Sequence, residues 1–285
     1  MNRSPVRIPI MKDMLADRVC IITGGGRGIG RATAELFASE GGRVVISDLD
    51  EQPAQETVEA IKSSGGQAVA VVGDVTAQGM PEKIVQAAVG AYGPSIDVLA
   101  NVAGFTWDGF IHKMTQQQWD AVHNIHLKAP FRLIQAASPY IRDPAKAEIK
   151  KGQQVMRKII NVSSVAGTDG NPAQANYSSA KAGVVGLTKT LSREWAPFNV
   201  NVNAVAFGWI STRMTQEREK GESIERNGKK IELGVPKQGL EAFKEMIPFK
   251  RPGTPEEAAR AMLFFASSMS DYVTGQVLKV AGGWY

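Results

Sequence analysis

The chain has 285 residues, 43% hydrophobic and 21% charged, with 29 Gly, 14 Pro and a single Cys, a composition that excludes disordered and fibrous proteins. The charge balance of 33 − 28 = +5 is mild, and no Lys/Arg stripe is interleaved with aromatics, so a nucleic-acid partner is not expected. No apolar run approaches the roughly 18 residues of a membrane span, and the start lacks the apolar centre and cleavage site of a secretory leader, so a soluble cytoplasmic protein is expected.

Short β-branched runs alternate with longer amphipathic stretches, the rhythm of a parallel sheet wrapped by helices. After an N-terminal extension over 1–15, one domain is expected over 16–285. The first strand is read over 18–23, with Cys20 in it as a small buried hydrophobe. It enters Thr23-Gly24-Gly25-Gly26-Arg27-Gly28-Ile29-Gly30 and a helix over 28–40. Strands follow at 43–48, 67–72 and 98–102, with helices at 52–63, 81–92 and 115–141. The stretch 142–157 reads as a basic insertion: between residues 142 and 158 six Lys/Arg face Asp143 and Glu148, 6 − 2 = +4. It is either a solvated helix or a patch for an acidic or phosphate-bearing partner. Strands at 158–163, 199–206 and 277–281 and helices at 175–196 and 255–266 complete a seven-stranded, doubly wound Rossmann-type sheet. A polar excursion over 213–249, with four glycines and many charges, reads as a substrate lid.

The glycine turn lies between a strand and a helix. Residues without Cβ let backbone N–H groups approach a pyrophosphate, and the helix N-terminus adds partial positive charge. A dinucleotide is therefore expected at Gly24, Arg27, Gly28, Ile29 and Gly30. The second strand ends at Asp48, about twenty residues on, where a carboxylate accepts from the adenosine ribose. Asp48, followed by Leu49, argues for NAD, because it repels the 2′-phosphate of NADP. Arg27 would attract that phosphate, so NADP stays open, as does a plain turn-starting role for Asp48.

Tyr177 and Lys181 are four residues apart on one helix face. An ammonium near a phenol favours the phenolate and lowers a pKa that is otherwise about 10, making tyrosine usable as an acid or base.

Together, the glycine turn, the Tyr177/Lys181 pair and Asn161-Val162-Ser163-Ser164 thirteen residues before the tyrosine resemble the short-chain dehydrogenase/reductase family. The resemblance runs from about residue 15 to 283. It implies that Ser164 polarises a substrate carbonyl, Tyr177 transfers the proton, and Lys181 also contacts the nicotinamide ribose. It places Asp74 and Val75 at the adenine, Asn101, Ala103 and Gly104 after the fourth strand, and Gly208, Ile210 and Thr212 near the nicotinamide. For Asp74 a simple turn cap is the alternative. No metal is implied.

Three positions depart from the family pattern. Val102 stands for a second asparagine, removing a hydrogen bond across the sheet. Phe207 stands for a proline, which is expected to loosen a turn. His126 occupies the place of a helix asparagine that helps a water relay protons to the lysine; either it takes over that relay or it is a structural histidine bonded to backbone.

Gln174-Ala175-Asn176-Tyr177 and the ending Ala281-Gly282-Gly283-Trp284 are similar to the 3-oxoacyl-[acyl-carrier-protein] reductase branch. That similarity implies reduction of a β-ketoacyl thioester carried on acyl carrier protein or CoA, by a homotetramer. An NAD preference suits instead the oxidation of another secondary alcohol: a hydroxyacyl-CoA, steroid or sugar. A non-catalytic dinucleotide sensor is the remote alternative.

Overall fold

The computed structural model describes residues 12–226 and 228–284; the expected extension lies outside them up to residue 11. Seven strands form the sheet: β1 (Val19–Thr23), β2 (Arg43–Asp48), β3 (Gln67–Val72), β4 (Val98–Asn101), β5 (Arg157–Ser164), β6 (Val200–Phe207) and, last in the chain, Val277–Val280. All neighbours pair in parallel. With that last strand counted as β9, the order is β3-β2-β1-β4-β5-β6-β9. The order reverses between β1 and β4, the crevice where open α/β sheets bind ligands.

Alternation along β1 builds a core on each face. Val19 and Ile21 point to one side. There the sheet meets α3 (Met80–Tyr92), α4 (Gln116–His123), α5 (Ala129–Lys150) and α7 (Ala175–Trp195). Cys20 and Ile22 point to the other, covered by α1 (Gly28–Ser39), α2 (Glu51–Ser63) and α9 (Pro255–Ala266). Cys20 is fully buried, and burial pushes its thiol pKa up. Among the described residues no helix is long and apolar enough to cross a membrane.

The structure corrects three details of the sequence reading. First, the helix read as ending at residue 141 runs on to Lys150, past Pro144 and through the first part of the basic stretch, with Ile141 and Ala145 buried. The cations of that stretch are largely engaged. Arg142 stacks 4.5 Å from the Phe198 ring centre. Arg157, 1% exposed, begins β5 and bonds both oxygens of Glu148 at 2.6 and 2.9 Å. Lys158, also buried, donates to Asn201, Ser270 and Asp271.

Second, the helix read over 115–141 is two helices joined by a π-turn, Asn124–Lys128. An extra residue in one turn leaves the apolar pattern intact on both sides, so periodicity does not reveal it. It leaves Asn124 exposed and buries His126. Third, Phe207 does not loosen a turn. It extends β6 opposite Val280, and the Gly208 N–H donates to the Val280 carbonyl at 3.0 Å.

The excursion is ordered into a 3-10 turn (Arg218–Lys220), a hairpin of β7 (Ser223–Arg226) and β8 (Lys229–Glu232), and α8 (Lys237–Met246). Ile231 and Leu233 are buried, so its polar composition hides a small apolar underside. The remaining helix, α6 (Val165–Asp169), is one short turn after β5.

Candidate active site

The glycine turn folds around contacts that admit no side chain. A Cβ on Gly24 would lie 2.8 Å from Ala103 Cα, and one on Gly30 would lie 2.0 Å from the Gly24 carbonyl oxygen. Gly24 and Gly28 have φ of +68° and +51°, angles that favour glycine. Helix α1 starts with no side-chain cap and no acid in its first turn, leaving its first N–H groups open to an anion. A pyrophosphate fits this cradle.

Asp48 braces the turn from β2. Its Oδ2 accepts from the Gly26 N–H at 2.8 Å and its Oδ1 from the Asp50 N–H at 3.1 Å. Each oxygen keeps acceptor capacity for a ribose hydroxyl. Asp74 does cap a turn, accepting from the Thr76 N–H at 2.8 Å and hydroxyl at 2.7 Å, while also facing the cleft.

A cavity of about 640 Å³ runs from Asp48 to Tyr177. Lining it are Gly24, Arg27, Gly28, Ile29, Gly30, Asp48, Leu49, Asp74, Val75, Ala103, Gly104, His126, Ser164, Tyr177, Lys181, Gly208, Ile210 and Thr212. Asn101 alone of the expected residues stands behind the wall. Its Nδ2 donates to Asn161 Oδ1 at 2.9 Å, and Asn161 in turn donates to Thr188 at 2.9 Å, tying β4, β5 and α7 together without a second asparagine.

Ser164 ends β5 and caps α6: its Oγ accepts from the Ala166 N–H at 3.1 Å. The same Oγ donates to the Phe207 carbonyl at 3.4 Å. On α7, Lys181 is 3% exposed, and its Nζ lies 5.6 Å from the centre of the Tyr177 ring. The ammonium donates to the Val162 carbonyl at 2.6 Å.

The expected lowering of the Tyr177 pKa is corrected. Burial pushes the phenol up to about 12, against the lowering effect of the Ser164 hydroxyl and with help from the Asp108 carboxylate. Burial also pulls Lys181 down to about 7. The same low-dielectric environment disfavours phenolate and ammonium alike. The phenol therefore enters the neutral range as a proton donor.

His126 is buried at the cavity wall. Its Nε2 lies 2.7 Å from the Phe105 carbonyl oxygen. A carbonyl only accepts, so Nε2 carries the hydrogen and Nδ1 presents a lone pair. Nδ1 is buried with no hydrogen-bond partner among the described residues. Burial, then the Lys181 charge, pull the imidazole pKa well below its ordinary value, so the ring is neutral. Its edge meets Tyr177 with ring centres 4.9 Å apart.

Several residues of the site escape the sequence reading. Thr23 Oγ accepts from the Val102 and Ala103 N–H groups at 3.0 and 3.1 Å, holding the β4 end against the glycine turn. Asn176 donates to the Trp107 and Gln118 carbonyls at 3.1 and 3.2 Å, fixing the first turn of α7 beside Tyr177. Its place in the Gln-Ala-Asn-Tyr motif was the one signal available. Asp108, Gln174, Trp209, Phe243 and Trp284 also line the cavity.

A family model described as enoyl-(acyl carrier protein) reductase matches residues 24–285. A 3-oxoacyl-[acyl-carrier-protein] reductase of Thermotoga maritima is 40% identical over 94% of this chain and 98% of its own. A protein of the same name from Synechocystis is 37% identical over 94% and 97%. A (3R)-3-hydroxyacyl-CoA dehydrogenase of Canis lupus familiaris is 35% identical over 95% and 97%.

Proposed function

The chain belongs to the short-chain dehydrogenase/reductase family, oxidoreductases acting on CH–OH groups with a nicotinamide coenzyme, and from that premise we propose that it reduces 3-oxoacyl thioesters. The observation that carries the proposal is the convergence of Ser164, Tyr177 and Lys181 at one end of the cleft whose other end is the glycine turn.

In this reading Ser164 Oγ donates to the substrate carbonyl oxygen and holds it beside the Tyr177 hydroxyl. A nicotinamide coenzyme held in the cleft would supply the hydride to the carbonyl carbon in reduction, or take it from the carbinol carbon in oxidation. Tyr177 gives its proton to the oxygen as charge develops there, and Ser164 stabilises that charge. Lys181 stands behind the phenol, holds the coenzyme ribose and compensates the phenolate as it forms. His126 anchors the π-turn through Nε2–H and offers Nδ1 to a water that resupplies the proton path. Segment 213–249 acts as the lid over the substrate.

Asp48 favours NAD, because its carboxylate faces the cleft and repels a 2′-phosphate, whereas Asp50 is offset by Arg213 at 3.9 Å; the exposed Arg27 keeps NADP the lesser choice. That preference supports a second reading, oxidation of a hydroxyacyl thioester or another secondary alcohol, in keeping with the relative named as a hydroxyacyl-CoA dehydrogenase. The substrate carrier is acyl carrier protein or CoA. Association as a homotetramer is supported by the β9 edge, where Leu278 is 39% exposed; a light-scattering mass of one chain would overturn it.

The test is coenzyme absorbance at 340 nm with NADH and NADPH, using acetoacetyl-CoA in one direction and a panel of secondary alcohols in the other. Thioester reduction supports the first reading. Turnover with NAD and simple alcohols alone moves the protein to the second.

A further inference from the structure

Three aromatic rings from distant parts of the chain meet in the cleft, Phe243 in contact with both Trp209 and Trp284. Trp209 follows β6, Phe243 lies on α8, and Trp284 follows β9. Their ring centres are 5.8 and 5.2 Å apart in that order. Trp209 is 8% exposed, fixed by packing and by Nε1–H donation to the Thr215 carbonyl at 3.3 Å. Trp284 reaches the cleft because Gly282 and Gly283 take φ of +61° and +91° and turn the chain back on itself. Its ring then closes on Gly208, where a Cβ would lie 3.5 Å from Trp284 Cε3.

The opposite flank is polar. Asn171 donates to Gln174 Oε1 at 2.9 Å, and Gln174 donates to both Asp108 oxygens at 3.1 Å. The sheet order β4-β5-β6-β9 sets these flanks apart. Asp108 follows β4, Ser164 ends β5, and the aromatic rings follow β6 and β9. A substrate whose carbonyl sits at Ser164 therefore has an apolar wall on one side and a hydrogen-bonding strip on the other.

The geometry points to Trp209, Phe243 and Trp284 as the seat of the substrate's hydrocarbon tail, with the amide-bearing thioester arm directed to the Asp108 side. This rests on the thioester reading above and adds to it a substrate class: acyl chains long enough to reach beyond the carbonyl onto the wall. Trp284 is then a specificity-determining residue, and the lid and the turn after β9 share one function.

The test is a series of 3-oxoacyl-CoA substrates from four to ten carbons with the full-length protein, wild type, Trp284→Ala and Phe243→Ala. Each buried methylene contributes about fourfold in affinity. In the wild type kcat/KM rises with chain length, and in each variant the ten-carbon to four-carbon ratio falls at least about tenfold. A ratio unchanged in both variants, or equal losses at every length, would mean that the rings only pack the lid, and would overturn the inference. NADH binding followed by protein fluorescence confirms that each variant is folded; if one is not, the other decides. A wild type that reduces no thioester but oxidises secondary alcohols overturns the thioester reading instead, and the same length comparison on 2-alkanols then judges the wall.

Discussion

The imidazole of His126 occupies the space in which a side chain on Gly104 would begin: a Cβ there would lie 2.1 Å from His126 Cε1. The glycine after β4 and the histidine of the π-turn are thus one fitted pair. Gly104→Ala is expected to destabilise the protein by about 1–3 kcal/mol, as overpacking does, and to lower turnover by displacing the ring. A thermal melt and kcat check this, and Gly104→Ala in a His126→Ala background should recover most of the lost stability. No recovery would mean that the collision is not the cause.

His126 itself is separable into anchor and acceptor. Asparagine at position 126 can both donate to the Phe105 carbonyl and accept from a water, so His126→Asn is expected to keep turnover. His126→Leu can do neither and is expected to lower kcat with little change in KM for coenzyme. Full kcat in the leucine variant would remove the proton-path role.

In the proposed reading Asp48 selects the coenzyme; its carboxylate faces the cleft while bracing the Gly26 N–H. Asp48→Asn keeps an acceptor for that N–H and removes the charge. The ratio of kcat/KM for NADH over NADPH is expected to fall about tenfold or more, equivalent to ~1.4 kcal/mol. An unchanged ratio would show that the carboxylate does not select.

Lys181 links the site to stability. Its pKa falls from 10.5 to about 7 on folding, so between those values the unfolded chain binds more protons than the folded one, and stability rises with pH across that window. Below about pH 7 the full cost of burying the charge is present. Lys181→Met is therefore expected to raise the melting temperature most at pH 6–7, with the gain shrinking as pH climbs towards 10. A gain independent of pH would assign the effect to packing instead.

Trimming residues 217–239 is expected to raise substrate KM far more than it changes coenzyme affinity, since Arg218, Leu233 and Val235 line the substrate end of the cavity. Equal effects on both would deny the segment its role as a lid.

The sheet and the glycine turn are legible in the sequence because both are local. Apolar runs mark strands buried on two faces, and the turn's glycines are consecutive with the strand and helix they join. Tyr177 and Lys181 are legible by helical spacing. What is hidden depends on distance along the chain. Thr23 meets Val102 across 79 residues, and Lys158 meets Asp271 across 113. Trp284 enters the cleft only through the turn at Gly282 and Gly283. The Tyr177 pKa is hidden as well, because the spacing shows the nearby lysine but not the burial that outweighs it.

The most direct measurement compares Tyr177→Phe with the wild type in two readouts, NADH binding by fluorescence and kcat for acetoacetyl-CoA. Phenylalanine keeps the ring against His126 and removes only the hydroxyl that carries the proton. The account predicts binding within about threefold of the wild type and a kcat reduced at least ~10²-fold, the range of a lost general acid. Turnover retained in the variant would contradict it.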